Sequence, residues 1–146
     1  MNRSGYTDDC YDDQWQAIMW RGAVASAIRG KRGQAFFREL IEALDAMPEK
    51  RLIAHDLERD GAVCAIGSVG ARRGVEMGTL NPEEPSQIAE AFGIAAPLVR
   101  EIEWYNDEGG NSRETPEDRW RRMRAWAEKM LTHPAKPATS ADGAAA

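Results

Sequence analysis

The spacing of residues 85–102, PSQIAEAFGIAAPLVREI, constrains the fold more than any other stretch of the chain. A small residue, Ala89, is followed four positions later by Gly93, and apolar Val99 and Ile102 come six and nine positions after the glycine. The small side chain lets a second helix approach closely, and glycine adopts the left-handed backbone of a tight turn at no steric cost. The spacing therefore predicts two packed helices joined by a turn at the glycine.

Residues typical of helix starts mark where these two helices and a third one begin. Pro82 and two glutamates open the first helix, which ends near Phe92. Pro97 opens the second, at a position that tolerates the missing amide, and this helix runs to about Asn106. After a turn-rich loop, Thr115 caps a last helix whose first residue is proline.

Two further helices are predicted near the N-terminus. The first spans about 14–29, and its apolar residues, including Trp15 and Trp20, lie on two stripes, so we expect it to be central and largely buried. A basic turn, IRGKRGQ, separates it from a helix at about 34–47, whose apolar residues recur at helical spacing.

The segment from 51 to 72 has two interpretations. Asp60-Gly61 lies between two β-tolerant runs, which indicates a hairpin. Alternatively, the small residues at 63–72 form a helix packed closely on a neighbour. We expect a short hairpin whose second strand soon gives way to irregular or helical structure.

These elements predict a mainly α (α+β) fold, a compact helical domain with a helix-turn-helix-like pair and a short β-hairpin. The single globular domain spans 14–132. Residues 1–13 form an acidic leader, and the small, polar residues 133–146 form a flexible, low-complexity tail.

Composition indicates the environment of the chain. Apolar residues make up 42% and charged residues 29%, which is ordinary for a soluble globular protein. No apolar run approaches the ~20 residues that span a bilayer, and the acidic N-terminus lacks the apolar region of a signal peptide. The two cysteines, Cys10 and Cys64, match no metal or redox spacing. We therefore expect a cytoplasmic protein with reduced thiols, no metal, no cofactor and no membrane contact.

The net charge of −5 is distributed in blocks. Residues 14–38 hold five bases and no acid, whereas residues 81–110 hold seven acids and one base. Such blocks are usually solvated helix faces and less often surfaces that meet a charged partner. The candidate anion or nucleic-acid contacts are Arg29, Lys31, Arg32, Arg121, Arg122 and Arg124.

The acidic block contains EIEWYNDE, in which aromatic residues adjoin carboxylates. Because aromatic residues often anchor protein interfaces, we expect a partner-binding surface there. Its residues are Glu101, Glu103, Trp104, Tyr105, Asn106, Asp107 and Glu108.

No catalytic residues are predicted, and we expect that the chain is not an enzyme. His55 and Cys64 lie on the two arms of the predicted hairpin, and a Cys–His pair is a nucleophile arrangement. Nothing in the sequence orients the histidine or marks a substrate pocket.

Residues 85–104 resemble the helix-turn-helix of phage repressors and bacterial regulators, on the four positions named at the outset. The resemblance implies that the second helix presents its first exposed residues to base edges: Ala95, Ala96, Pro97, Arg100 and Glu101. Of these, only Arg100 has a side chain suited to direct readout, and the acids that follow repel phosphate. We expect the architecture of the motif more than its use as a DNA reader.

A wider resemblance spans nearly all of residues 5–131. It is carried by the stretches GYTDDC, MWRGAVASAIRGKRGQAFFREL, EKRLIAHDLE, GAVCAIGSVGARRG, FGIA, YNDEGG and ETPEDRWRRMRAW. Together these stretches resemble an uncharacterised group of small phage and prophage proteins, and no catalytic or ligand motif comes with the resemblance.

This resemblance implies that the chain is an accessory protein of a mobile element, and such proteins often act by binding host proteins. We therefore expect a non-enzymatic binding protein in the cytoplasm of a bacterial host. It would inhibit or modulate a host protein complex, for example as an anti-CRISPR or other anti-defence inhibitor of a nucleic-acid-handling complex. The alternative is a helix-turn-helix, DNA-associated transcriptional regulator.

Overall fold

A computed structural model describes residues 3–4 and 14–133, which form six α-helices and one two-stranded hairpin. The predicted mainly helical fold class is confirmed. The elements, in chain order, are α1 (Gln14–Arg29), α2 (Lys31–Ala46), β1 (Glu58–Arg59), β2 (Ala62–Val63), α3 (Ala65–Arg73), α4 (Pro85–Phe92), α5 (Ala96–Glu108) and α6 (Pro116–Met130), with a 3-10 turn at Met77–Thr79 before α4. The rest of the predicted leader and tail lies outside the described residues.

Helix α2 is the centre of the core. Phe36, Phe37, Leu40 and Leu44 on its buried face are each 2% exposed or less, and the helix packs against α3 and α6. Phe37 meets Trp126 of α6 edge to face, with 5.4 Å between the ring centroids. Burying one such side chain contributes roughly 1.5–3 kcal/mol, so this face is a large part of what holds the fold together.

The junction of α1 and α2 differs from the prediction. Helix α2 begins at Lys31, three residues before the predicted start at 34, so most of the basic turn is helical and only Gly30 separates the two helices. Gly33 is buried inside α2, where a Cβ atom would collide with the carbonyl oxygen of Ala27. This glycine therefore permits a close helix crossing and does not form a turn.

Helix α1 is less buried than the sequence predicts. Trp15, Ile18 and Met19 are 66%, 54% and 58% exposed, so the expectation of a core Trp15 and a largely buried helix is wrong. The apolar surface that is covered lies toward the C-terminal end of α1, where Val24 is buried and the helix packs against α2 and α5. A second apolar stripe indicates burial only when another element is present to cover it.

Both interpretations of the segment from 51 to 72 are correct in part. Strands β1 and β2 pair in antiparallel fashion around Asp60 and Gly61, whose φ angles of 54° and 85° are both positive. After only two residues per strand the chain enters α3, whose first turn is capped by the Cys64 sulfur accepting from the Gly67 amide. A Cβ atom at Gly67 would collide with the Leu57 carbonyl, so glycine is needed for close packing here.

The predicted pair of helices around Gly93 is present as α4 and α5. Gly93 has a φ of 74° and ends α4, which begins at Pro85 and not at Pro82. Helix α6 begins as predicted, because the Thr115 hydroxyl accepts from the Asp118 amide at 3.0 Å and the Asp118 carboxylate accepts from the Thr115 amide at 3.3 Å.

Candidate functional site

A buried charge cluster lies on α5, at the centre of the segment predicted to bind a partner. The Arg3 guanidinium donates from Nε and Nη2 to the two Asp107 carboxylate oxygens, at 2.7 Å and 2.9 Å. Its Nη1 lies 3.5 Å from Oε2 of Glu103, one turn earlier on the same helix. The three side chains are at most 2% exposed, so they form a buried ionic group between the N-terminus of the chain and α5.

Arg3 and Ser4 therefore belong to the packed domain, although the sequence places them in the leader. Ser4 is 1% exposed and Arg3 is 5% exposed. The only hint in the sequence is that Arg3 is the single base among the first thirteen residues. Its partner Asp107 is 104 positions away, so no local pattern predicts the pairing.

Asn106, the neighbour of Asp107, connects this cluster to the rest of the fold. Its carbonyl oxygen accepts from the Ala65 amide at 3.1 Å, and its amide nitrogen donates to the Ile53 carbonyl at 3.0 Å. Asp107 also accepts from the backbone amide of His55 at 3.1 Å. These bonds tie α5 to the start of α3 and to the loop before the hairpin.

Burial raises the pKa of both acids of the cluster, but the net pKa shifts have opposite directions. Burial raises the pKa of Glu103 to about 8, although the nearby Arg3 charge lowers it in part. Neither Glu103 carboxylate oxygen has a hydrogen-bond partner among the described residues. Burial also opposes the charge of Asp107, but the hydrogen bonds and charge of Arg3 outweigh it and hold the pKa of that carboxyl below its usual range. Near neutral pH the cluster therefore contains an ionised Asp107 and a Glu103 that is largely protonated.

The seven residues predicted as a partner surface do not share one exposed face. Glu103 and Asn106 are fully buried, the Asp107 side chain is 1% exposed, and all three take part in internal contacts. Tyr105 stacks on Trp126 of α6, with 4.6 Å between ring centroids. The buried members, Glu103, Asn106 and Asp107, therefore do not contribute to the predicted partner-binding surface. Of the rest, Glu108 is exposed, and Glu101, Trp104 and Tyr105 are half-buried.

The predicted anion contact on α6 is already neutralised within the fold. Its three arginines each form an ion pair: Arg121 with Asp118, Arg122 with Glu114, and Arg124 with Asp45. Arg122 also donates to the Tyr105 and Asn106 carbonyls at 2.6 Å and 3.1 Å. It thereby satisfies the carbonyl end of α5. Arg122 and Arg124 hold α6 to its neighbours, whereas Arg121 pairs within α6 and is exposed. For Arg122 and Arg124, this half of the predicted anion contact does not fit the structure.

The other half, at the junction of α1 and α2, remains accessible. Arg29, Lys31 and Arg32 are exposed, and none forms an ion pair within the described part of the chain. Arg32 reaches the carbonyl of Gly93 at 3.5 Å. Lys31 and Arg32 line an open groove with residues of α1 and the start of α5, among them Ala27, Ala95 and Pro97.

Helix α1 lies beside the positions from which α5 would read DNA. Ala95 and Pro97 share the groove with Ala23 and Ala27 of α1. Arg100, the one candidate for base readout, lies over the Trp20 ring at 5.6 Å from its centroid. Entry of α5 into a major groove would therefore require α1 to move.

His55 and Cys64 do not form a catalytic pair. The Cys64 thiol is 1% exposed and caps α3 by accepting from the Gly67 amide at 3.4 Å. Burial raises the pKa of this thiol, which is the opposite of what a nucleophile needs. The exposed His55 ring lies 3.7 Å from Asp107.

Comparison with known proteins gives no relative: no family model, no curated protein and no solved structure matches the chain. Among the described residues, no helix has the length and apolar character needed to cross a membrane. What the protein does is therefore inferred from its own surfaces and from the resemblances in its sequence.

Proposed function

We propose that this chain is a non-enzymatic binding protein of phage type that inhibits or modulates a protein complex of its bacterial host. The first candidates are CRISPR and other anti-phage defence complexes, in keeping with the resemblance to phage and prophage proteins. The observation that carries the proposal is the exposed apolar stripe on α1, formed by Trp15, Ile18 and Met19.

The chemistry of this stripe suits a protein partner. Its three residues lie at positions i, i+3 and i+4, so they are neighbours on one helix face. Isolated exposed apolar residues are ordinary, but a Trp, an Ile and a Met together form the kind of apolar anchor that enters a partner's pocket. They are the large apolar side chains most exposed to solvent among the described residues.

A DNA-reading regulator receives less support, although α4 and α5 follow the sequence spacing of a helix-turn-helix. The positions that would meet base edges are small, apolar or engaged with α1, as Arg100 is with Trp20. The acids of α5 lie farther along the same helix, and two of them are buried. Sequence-specific readout needs exposed hydrogen-bonding side chains at these positions.

The test is an affinity capture from bacterial lysate with the tagged protein, with and without nuclease, read by mass spectrometry. The stripe variant, Ile18→Ser with Met19→Ser, removes two of the three apolar side chains of the stripe. A matched control, Ala46→Ser with Ala125→Ser, changes two exposed helix residues elsewhere. We expect a stoichiometric protein partner that survives nuclease with the wild type and the control, and that is lost with the stripe variant.

Two results would contradict the proposal. One is the recovery of no protein partner that survives nuclease, which would indicate that the protein is captured only through nucleic acid. The other is a partner held equally by the wild type and the stripe variant, which would exclude the α1 stripe as the contact. Inhibition is measured separately, as the plating of a CRISPR-targeted phage on cells that express each variant, with the wild type expected to raise it.

A further inference from the structure

Five bases follow one another along α1 and the first half of α2, and only three of them lie at the junction of the two helices. This set, here called the basic corner, differs from the other charged groups of the described residues. It consists of Arg21, Arg29, Lys31, Arg32 and Arg38. All five are exposed, and none takes part in an ion pair within the described residues. Residues 14–38 contain no acid, and the nearest acids that follow, Glu39 and Glu42, pair with Arg73 and Arg72 of α3.

Most of the other arginines among the described residues form ion pairs. Arg73 pairs with Glu39 at 2.6 Å, and Arg124 pairs with Asp45 at 2.6 Å, both across long sequence separations. In a chain with a net charge of −5, acids are available to neutralise most bases. Like charges left together without partners oppose folding through their mutual repulsion, and their positive potential attracts an anionic partner.

The basic corner adjoins a concave surface. Lys31 and Arg32 line the groove whose far side is the start of α5 at Ala95 and Pro97, and Arg32 reaches across to the carbonyl of Gly93. The small side chains on that side leave room for a bulky group, and they offer no carboxylate that would repel an anion. The charges and the groove therefore form one surface.

We propose that the basic corner binds the phosphate backbone of a nucleic acid and does so without reading its sequence. Four of its five bases are arginines, whose planar guanidinium groups bind phosphate oxygens in pairs. The opposite side of the groove adds nothing to base readout, since Ala95 and Pro97 have no side-chain donor or acceptor. An acidic protein surface is the competing partner, and the experiment below separates the two.

This activity goes beyond the proposed protein contact and is independent of it. The apolar stripe lies in the first turns of α1, whereas most of the basic corner lies from Arg29 onward. A host complex that itself holds nucleic acid would offer a ligand to each surface. Either surface can therefore fail its test while the other passes.

The experiment measures fluorescence anisotropy of a labelled 20-base-pair DNA duplex of mixed sequence, titrated with the protein at several salt concentrations. The corner variant carries Arg29→Gln, Lys31→Gln and Arg32→Gln. The matched control carries Arg51→Gln, Arg113→Gln and Lys129→Gln, which removes the same charge from exposed positions elsewhere. A second variant, Arg21→Gln with Arg38→Gln, leaves the helix junction unchanged, and circular dichroism checks that each variant folds.

We expect the corner variant to lose at least about tenfold in affinity at low salt and to reduce the salt dependence of log Kd by about three, since each phosphate contact contributes roughly 0.9. The second variant should lose less, and the control should stay within about twofold of the wild type. Scrambling the duplex sequence should not change the affinity.

Three results of these titrations would overturn the proposal, and a fourth comes from a competition experiment. They are no binding of the duplex by the wild type at low salt, an equal loss in the corner variant and the control, and a strong dependence on duplex sequence. Poly-glutamate of matched charge is added as a competitor. If it displaces the duplex as well as unlabelled DNA does, the surface recognises acidic proteins and the assignment to phosphate is wrong.

Discussion

The substitution Glu103→Gln should make the protein more stable at neutral and alkaline pH. The Glu103 side chain is fully buried, lies beside Arg3, and shares α5 with the nearby charges of Arg100 and Asp107. Glutamine keeps the shape of the side chain but cannot ionise. The substitution therefore removes one buried titration and leaves the Arg3–Asp107 ion pair in place.

The size of the expected gain in the free energy of unfolding follows from the raised pKa of Glu103, which is about 8 in the fold against an ordinary 4.5. A carboxyl whose folded pKa is raised binds its proton more tightly in the folded state, so stability is lost as pH rises from the unfolded pKa toward the folded one. At pH 7 the accumulated loss is about 3 kcal/mol, at 1.36 kcal/mol for each pKa unit. We expect the wild type and Glu103→Gln to be similar at pH 4.5 and to diverge by about that amount by pH 7.

The assay is urea unfolding at pH 5 and pH 8, followed by circular dichroism and extrapolated to zero denaturant. Glu108→Gln is the control, because Glu108 lies on the same helix but is exposed. The stability difference between Glu103→Gln and the wild type should grow by about 3 kcal/mol from pH 5 to pH 8, and the Glu108→Gln difference should not change. Parallel stability curves for the wild type and Glu103→Gln would refute the reasoning, since they would mean that Glu103 does not titrate abnormally.

The remaining predictions concern stability and are read from the same unfolding experiment. Arg3→Ala leaves the buried Asp107 without its bidentate partner and should cost about 3–5 kcal/mol, whereas Arg3→Lys should recover part of the loss; a cost below ~1 kcal/mol would show that the N-terminus does not dock. Gly33→Ala places a Cβ against the α1 backbone and should destabilise by more than about 2 kcal/mol, while Gly22→Ala, which meets nothing within 4 Å, should stabilise by roughly 0.5–1 kcal/mol. Equal effects of the two glycine substitutions would contradict the helix crossing. Thr115→Ala removes the capping bond to α6 and should cost about 1 kcal/mol, and no change would mean that the capping box contributes nothing.

Local features of the sequence were sufficient to predict most of the helices. Thr115 with the following proline, Gly93 after Phe92, and Pro97 each act within one helical turn of themselves, so their effect does not depend on the rest of the fold. The predicted start of α2 is wrong because it depends on a contact with another helix. Gly33 was interpreted as a turn residue, but its role is set by a close contact with α1 that no local pattern records.

The candidate surfaces were harder to predict, because exposure depends on partners distant in the chain. The acidic segment of α5 is predicted as a surface from its sequence. In the structure, Arg3 pairs with Asp107 of this segment, which lies 104 positions away in the chain. The sequence predicts that the arginines of α6 are available to an anion. In the structure, Glu114 of the loop before α6 pairs with Arg122, and Asp45 of α2 pairs with Arg124. Three bases of the basic corner, Arg29, Lys31 and Arg32, are predicted as a possible anion contact, and the structure leaves them exposed.

The charges of this chain therefore divide into two groups with different effects. Where a base lies near an acid of another element, as Arg3 does with Asp107 and Arg124 with Asp45, the pair holds helices in place. The sequence of α1 and the start of α2 contains no acid, and the bases there remain exposed on elements that also carry the exposed apolar stripe. Arg3 pairs with the second half of α5, and α1 packs against this helix. Helix α5 therefore serves mainly to hold the fold together. The exposed binding surfaces proposed above are carried by α1 and its junction with α2. Substitutions of exposed polar or charged side chains there should therefore alter binding with little change in the free energy of unfolding.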